Sequence, residues 1–220
     1  MKLSDQLSEK VYFVTGIDTD CGKTIATGYI SRLLMAEGVN VITQKLIQTG
    51  NKGISEDICK HRDVEGRTLQ EVDLNGITCP LIYSYPCSPH MAAVIDEREP
   101  DYGLAAESTR KLISMCDKVL VEGAGGLMVP LKEDYLTRDY VLRHELPVIL
   151  VTTARLGSIN HTLLNLEVLR HSGISLAALV YNRAISTDER ITQETERYLQ
   201  VYLKTNHPEV AWIDLPQLSL

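Results

Sequence analysis

One stretch constrains the fold of this chain more than any other: Val11-Tyr12-Phe13-Val14-Thr15-Gly16-Ile17-Asp18-Thr19-Asp20-Cys21-Gly22-Lys23-Thr24. Its first half is short, β-branched and aromatic, which suits a buried strand. Ile25 to Glu37 follows with helical spacing and stops before Gly38. A strand, a glycine-flanked loop and a helix form the context in which backbone N–H groups and a helix N-terminus point at a polyphosphate. Lys23 then neutralises phosphate charge, and the Thr24 hydroxyl is placed to ligate Mg²⁺. Gly-Lys-Thr alone is also compatible with an ordinary strand-to-helix turn; the flanking elements favour the phosphate loop. Five residues separate Gly16 from Gly22, one more than in the common form of this loop. Asp20, Cys21 and Gly22 belong to the cradle. Cys21 is read as a small space-filling residue, with a thiolate activated by the helix N-terminus as the rarer use.

The rest of the chain supplies more strands and helices in alternation. Val39–Leu46, Lys118–Glu122, Leu146–Thr152 and Ser175–Tyr181 read as strands, and Val210–Ile213 as a short edge strand. Helices are expected over Ser55–Arg62, Gly103–Cys116, Asp134–Glu145, Leu156–His171 and within Ile185–Lys204. Thr68–Cys79 is poorly patterned and reads as surface loop; Leu81–Tyr85 reads as extended. Ser88 and Pro89 read as a helix entry, and His90 as structural. This alternation predicts a single-domain α/β fold, a P-loop NTPase with a mostly parallel sheet flanked by helices on both faces. Residues 1–10 form a polar extension and 11–220 the domain.

Four side chains outside the loop draw attention. Lys45 falls near the C-terminal end of a strand, where parallel sheets place their ligands. It is a candidate second cation, although position alone favours a solvated lysine at a strand edge. Thr49 follows as a hydroxyl donor. Asp57 suits either a metal ligand or a first-turn acid on the helix dipole. Glu122 ends a buried apolar strand, where an acid is expensive unless it meets a cation. The Gly157-Ser158-Ile159-Asn160 turn suits an anion or simple helix capping.

Charge and cysteine content narrow the partners. A formal net charge of -7 argues against nucleic acid held through phosphate contacts. Five cysteines without zinc-like spacing read as reduced thiols of a cytoplasmic protein. No stretch approaches the ~20 apolar residues that span a bilayer, so no membrane partner is expected.

Gly16–Thr24, Lys45 with Thr49, Asp57, Ser88-Pro89-His90, Val121–Gly126 and Leu156–His161 together resemble the dethiobiotin synthetase family. The resemblance spans Val11 to about Asn182, and the five-residue loop spacing is usual there. It implies a cyclo-ligase with small-molecule substrates. Diaminopelargonate and CO₂ form a carbamate, ATP phosphorylates it, and the second amine closes the ureido ring. Carried over, Lys23 contacts the β/γ-phosphates, Thr24, Asp57 and Glu122 hold Mg²⁺, and Lys45 stabilises the transferring phosphoryl. Thr49 stands where the family often has Ser. Gly157, Ser158 and Asn160 receive the substrate carboxylate across a homodimer interface. Asn182 contacts adenine, with Trp212–Pro216 loosely comparable to the family's base-binding segment. The alternatives are a partitioning-type switch ATPase, against which the lack of a lysine early in the loop counts, and the synthetase part of an amidotransferase, which would need a glutaminase domain besides.

Overall fold

The computed structural model describes residues 2–185 and 188–218. In chain order the elements are α1 (Leu3–Gln6), β1 (Val11–Gly16), α2 (Lys23–Ala36), β2 (Val41–Lys45), β3 (Gln48–Thr49), α3 (Glu56–Glu65) and α4 (Glu71–Leu74). They continue with β4 (Ile82–Tyr83), α5 (Pro89–Ile95), α6 (Tyr102–Ile113), β5 (Lys118–Glu122), β6 (Pro130–Lys132), β7 (Tyr135–Leu136) and α7 (Thr137–Arg143). Last come β8 (Val148–Thr153), α8 (Ser158–Ser172), β9 (Leu176–Asn182), α9 (Glu189–Asn206) and β10 (Ala211–Leu215).

Six strands form one sheet in the order β10-β9-β8-β1-β5-β2, every neighbouring pair parallel. Helices flank it. Strands covered on both faces need apolar side chains in both directions, which is why β1, β5 and β8 read as continuous apolar runs and not as alternation. Tyr12, Phe13, Val14, Val119, Leu120, Ile149 and Leu150 are all buried in the one core cluster. The chain leaves β1 towards β2 on one side and later adds β8 on the other, so a crevice opens at the carboxyl ends around β1. Register aligns the candidate residues there: Lys45 pairs with Glu122, and Glu122 with Val14.

Two segments differ from the sequence reading, and a third, expected as a helix within Ile185–Lys204, is one. Within 68–79 the chain forms the short helix α4, whose Asp73 accepts the Gln70 N–H and meets the buried Arg62. A four-residue turn carries too little periodicity to be seen, and a long-range ion pair fixes it. The helix expected from Asp134 begins only at Thr137, because β6 and β7 form a small antiparallel ribbon first. The last long helix starts at Glu189, with the Asp188 side chain accepting the Arg190 and Ile191 N–H groups. Residues 186 and 187, in the same expected stretch, lie outside the described residues. The polar N-terminal segment is also anchored: Leu7 is buried, and the Glu37 carboxylate accepts the Leu3 and Ser4 N–H groups at 2.9 and 2.8 Å. Among the described residues, no helix is long and apolar enough to cross a membrane.

Candidate active site

β1 ends at Gly16, and the chain turns through 17–22 into α2. Gly22 has φ +91°, a left-handed conformation that only glycine adopts without strain, and a Cβ there would stand 2.3 Å from Asn182 Nδ2. That amide is buried; it donates to the Cys21 carbonyl at 3.0 Å and accepts the Ala184 N–H at 3.0 Å. Asn182 therefore braces the loop from the end of β9, keeping one N–H and one lone pair for a further partner. The Cys21 side chain is buried against Gly16, where a Cβ would come within 2.2 Å of its sulfur. It fills the space beside Gly16.

Lys23 is buried, and its Nζ donates to the Asp18 carbonyl at 2.9 Å. The Asp18 carboxylate in turn pairs with Arg155 at 2.5 Å. Arg155, together with the Thr19 N–H, holds its carboxyl below the usual carboxylate range.

Beyond the loop, four residues from four elements converge. Thr24 Oγ1, at the start of α2, lies 3.1 Å from both Asp57 Oδ1 of α3 and Glu122 Oε1 of β5. Lys45 Nζ, at the end of β2, lies 2.5 Å from Asp57 Oδ2, 2.8 Å from Glu122 Oε1 and 3.1 Å from the Gly123 carbonyl. Lys45 is thus no solvated edge lysine. Burial opposes its charge, but the Glu122 and Asp57 carboxylates prevail and raise its pKa above the ordinary lysine value. Glu122 is the mirror image: burial opposes ionisation, while Lys45 and His61 hold its carboxyl far below the usual range. Both groups are charged at neutral pH.

These residues open onto a cavity of about 410 Å³ whose lining includes Asp20, Gly22, Lys23, Thr24, Lys45, Gln48, Thr49, Asp57 and Glu122. Its donor set is all oxygen on the anionic side. Two carboxylates and a hydroxyl suit Mg²⁺, which completes its octahedron with water and phosphate oxygens instead of an all-protein cage. Thr24, Asp57 and Glu122 therefore fit Mg²⁺ bound together with a nucleotide.

Gly157, Ser158, Asn160 and Asn182 do not line this cavity within one chain. Gly157 takes φ +93° immediately before α8, exposed, with nothing within 4 Å of a would-be Cβ. Asn160 is also exposed. The Ser158 side chain is buried and shares a hydrogen bond of 2.6 Å with Thr153 Oγ1. That hydroxyl ties α8 to β8.

Residues 10–212 match a family model described as an AAA domain. An ATP-dependent dethiobiotin synthetase, BioD 2, of Pasteurella multocida is 51% identical over 211 residues, covering 96% of this chain and 99% of that protein. The chain belongs to the dethiobiotin synthetase family. An ATP-dependent dethiobiotin synthetase, BioD, of Chlorobaculum tepidum is 47% identical over 195 residues, covering 89% of this chain and 82% of that protein. Among solved structures, a ParA family ATPase from Chlorobium tepidum superposes with a TM-score of 0.52 at 17% identity, covering 96% of this chain and 84% of that one. At that identity the likeness is one of fold.

Two polar residues of this dethiobiotin synthetase family member escaped the sequence reading. His61 Nε2 lies 2.6 Å from Glu122 Oε2, fully buried. Gln48 lines the cavity, and its Oε1 accepts from Ser55 Oγ at 2.6 Å. For His61 a signal existed, since it stands four residues after Asp57 and so shares its helix face. Gln48 carried none.

The loop's dependence on Gly22 has a measurable consequence. Gly22→Ala adds left-handed strain of about 1–3 kcal/mol and drives a methyl group into the Asn182 amide. Nucleotide affinity is expected to fall about tenfold or more, since 1.4 kcal/mol is a factor of ten. Isothermal titration of ADP checks this.

Proposed function

We propose that the chain is an ATP-dependent cyclo-ligase that forms dethiobiotin, ADP and phosphate from 7,8-diaminopelargonate, CO₂ and ATP. One amine adds to CO₂ and loses a proton to give a carbamate. A carbamate oxygen displaces ADP from the γ-phosphorus. The second amine then attacks the mixed anhydride carbonyl, and phosphate leaves as the ring closes.

The observation that carries this reading is the placing of Lys45 between the buried Glu122 carboxylate and the half-buried Asp57 carboxylate, on a cavity shared with the phosphate loop, in a chain half identical to dethiobiotin synthetases. Two anions, carbamate and triphosphate, must approach each other in the phosphoryl transfer. Catalysis is then chiefly positioning and charge neutralisation. Lys23 takes β/γ-phosphate charge, and Lys45, permanently protonated, offers a fixed cation to the transferring group. The Thr49 hydroxyl lines the same cavity and orients the carbamate. Mg²⁺, held by Thr24, Asp57 and Glu122, would supply further charge neutralisation. Asn182, at the back of the loop, has donor and acceptor capacity left for the adenine.

A homodimer in the cytoplasm completes the proposal. The Gly157 turn lies outside the cavity of its own chain, and Leu156 and Leu164 are 82% and 57% exposed beside it. That face suits a second copy, which would bring Gly157 and Asn160 to a neighbouring cavity as donors to the substrate carboxylate. The five free thiols are compatible with a reducing compartment.

Purified protein given diaminopelargonate, bicarbonate, Mg²⁺ and ATP is expected to yield ADP and a ureido product in equal amounts. Little ATP should turn over when the diamine is omitted. Equal turnover with and without diamine, and no ureido product, would defeat the ligase reading and favour a switch ATPase.

A further inference from the structure

The two oxygens of Glu122 face different partners. Oε1 lies 2.8 Å from Lys45 Nζ and 3.1 Å from Thr24 Oγ1, on the cavity side. Oε2 lies 2.6 Å from His61 Nε2 in the protein interior. His61 and Glu122 are both fully buried, so water does not compete for this bond. The other ring nitrogen, Nδ1, is buried with no hydrogen-bond partner. A proton there would leave an N–H donor without an acceptor, which is costly in a buried position. The arrangement that satisfies the most groups puts the proton on Nε2 and donates it to Oε2.

We propose that His61 is a positioning residue for the metal-binding carboxylate: by holding Oε2, it leaves Glu122 only Oε1 to offer a cation. The proposal rests on the reading of Thr24, Asp57 and Glu122 as the Mg²⁺ ligands. Asp57 and His61 are one helical turn apart on α3. The same helix therefore supplies one carboxylate and clamps the other, so their separation is set by a rigid rise of about 6 Å along the helix axis. A carboxylate with both oxygens free can bind in a bidentate manner, which suits the larger, more flexible Ca²⁺ sphere. One restricted to a single oxygen suits the strict octahedron of Mg²⁺. Partners that orient metal ligands in this way typically carry 10–100-fold in metal affinity.

The test compares wild type, His61→Leu and His61→Gln. Gln places an N–H donor near the position of His Nε2, whereas Leu offers none. Titration calorimetry of Mg²⁺ into protein saturated with ADP is expected to show about tenfold weaker binding for His61→Leu and affinity near wild type for His61→Gln. The preference for Mg²⁺ over Ca²⁺ should narrow in the Leu variant alone. A folded His61→Leu that binds Mg²⁺ like wild type would overturn the proposal, as would equal loss in both variants. If neither variant folds, the ¹⁵N spectrum of wild-type histidines decides: an Nε2–H tautomer for His61 supports the clamp, and an Nδ1–H tautomer refutes it. Because none of these measurements uses the diamine, they stand apart from failure of the ligase reaction. A wild type that makes no ureido product but binds Mg²⁺ normally counts against the activity and not against the clamp.

Discussion

Lys45→Met is expected to lower kcat for dethiobiotin formation by about 10³-fold, roughly 4 kcal/mol of transition-state stabilisation, while ADP still binds. The loss is large because Lys45 is the fixed positive charge that the two carboxylates hold over the cavity. Methionine keeps most of the volume and removes the charge. Asp57 and Glu122 are then left facing each other and Thr24 without a cation, and breaking a buried pair in this way costs about 3–5 kcal/mol. Mg²⁺ and ADP should restore part of that stability, since a cation again sits between the carboxylates.

The pH dependence has a defined sign. In the wild type the Glu122 carboxyl lies below its ordinary 4.5, so its contribution to stability is present above that value and is lost as pH falls through the folded pKa. Lys45 lies above its ordinary 10.5, so its contribution holds below that value and is lost only as pH rises through the folded one. Between these limits the pair stabilises the fold evenly. In Lys45→Met burial has lost its main opponent at Glu122 and pushes that carboxyl up. The folded state then binds more protons at Glu122 than the unfolded one, so the variant gains stability relative to wild type on mild acidification. Urea unfolding at several pH values reads this directly; a variant with the wild-type profile would show that the pair is not coupled as described.

How much of this was legible in the residues depends on the range of the interaction. The parallel sheet could be read because each central strand is buried on both faces, which writes a continuous apolar run into the sequence. The loop could be read because its chemistry is contiguous from Gly16 to Thr24. Lys45 and Asp57 each had a bland reading, a solvated lysine and a helix-dipole acid, and nothing local separates these from an ion pair. Their meeting is decided by parallel register, which pairs Lys45 with Glu122, and by the angle at which α3 docks. The ribbon of β6 and β7 stayed hidden for the opposite reason, being too short to show a period. The Gly157-Ser158-Ile159-Asn160 turn reads equally as an anion site or as helix capping, and only the structure shows the Ser158 hydroxyl turned inward to Thr153 at the end of the preceding strand. A capping-type residue looks the same from sequence whether its hydroxyl faces in or out.

Arg62→Met is expected to destabilise the protein by about 3–5 kcal/mol. Arg62 is fully buried and every arm of its guanidinium is occupied. Nε and Nη2 meet the Asp73 carboxylate at 2.9 and 2.8 Å, and Nη1 meets Glu65 Oε2 at 3.0 Å and Thr43 Oγ1 at 2.8 Å. The network joins α3 to α4, to β2 and, through Ser31 Oγ on Glu65 at 2.6 Å, to α2. It therefore fixes the helix that carries Asp57 and His61. Removing the guanidinium leaves two buried carboxylates without a cation, and that desolvated charge, more than the lost bonds, sets the size of the effect. Double variants can separate the two. Arg62→Met/Glu65→Gln should regain part of the loss, because the neutral amide no longer carries unpaired charge. Arg62→Met/Asp73→Asn should regain less, because Asp73 also accepts the Gln70 N–H at 2.7 Å and the Thr78 hydroxyl at 2.7 Å, bonds that a neutral side chain accepts more weakly. Acid acts in the same direction as the second double variant. Asp73, buried yet held below its ordinary pKa by Arg62 and the Gln70 N–H, rises once the arginine is gone, so the gap between Arg62→Met and wild type should narrow as pH is lowered from 7 towards about 5. A gap that stayed constant over that range would mean that lost packing, and not unpaired charge, accounts for the cost.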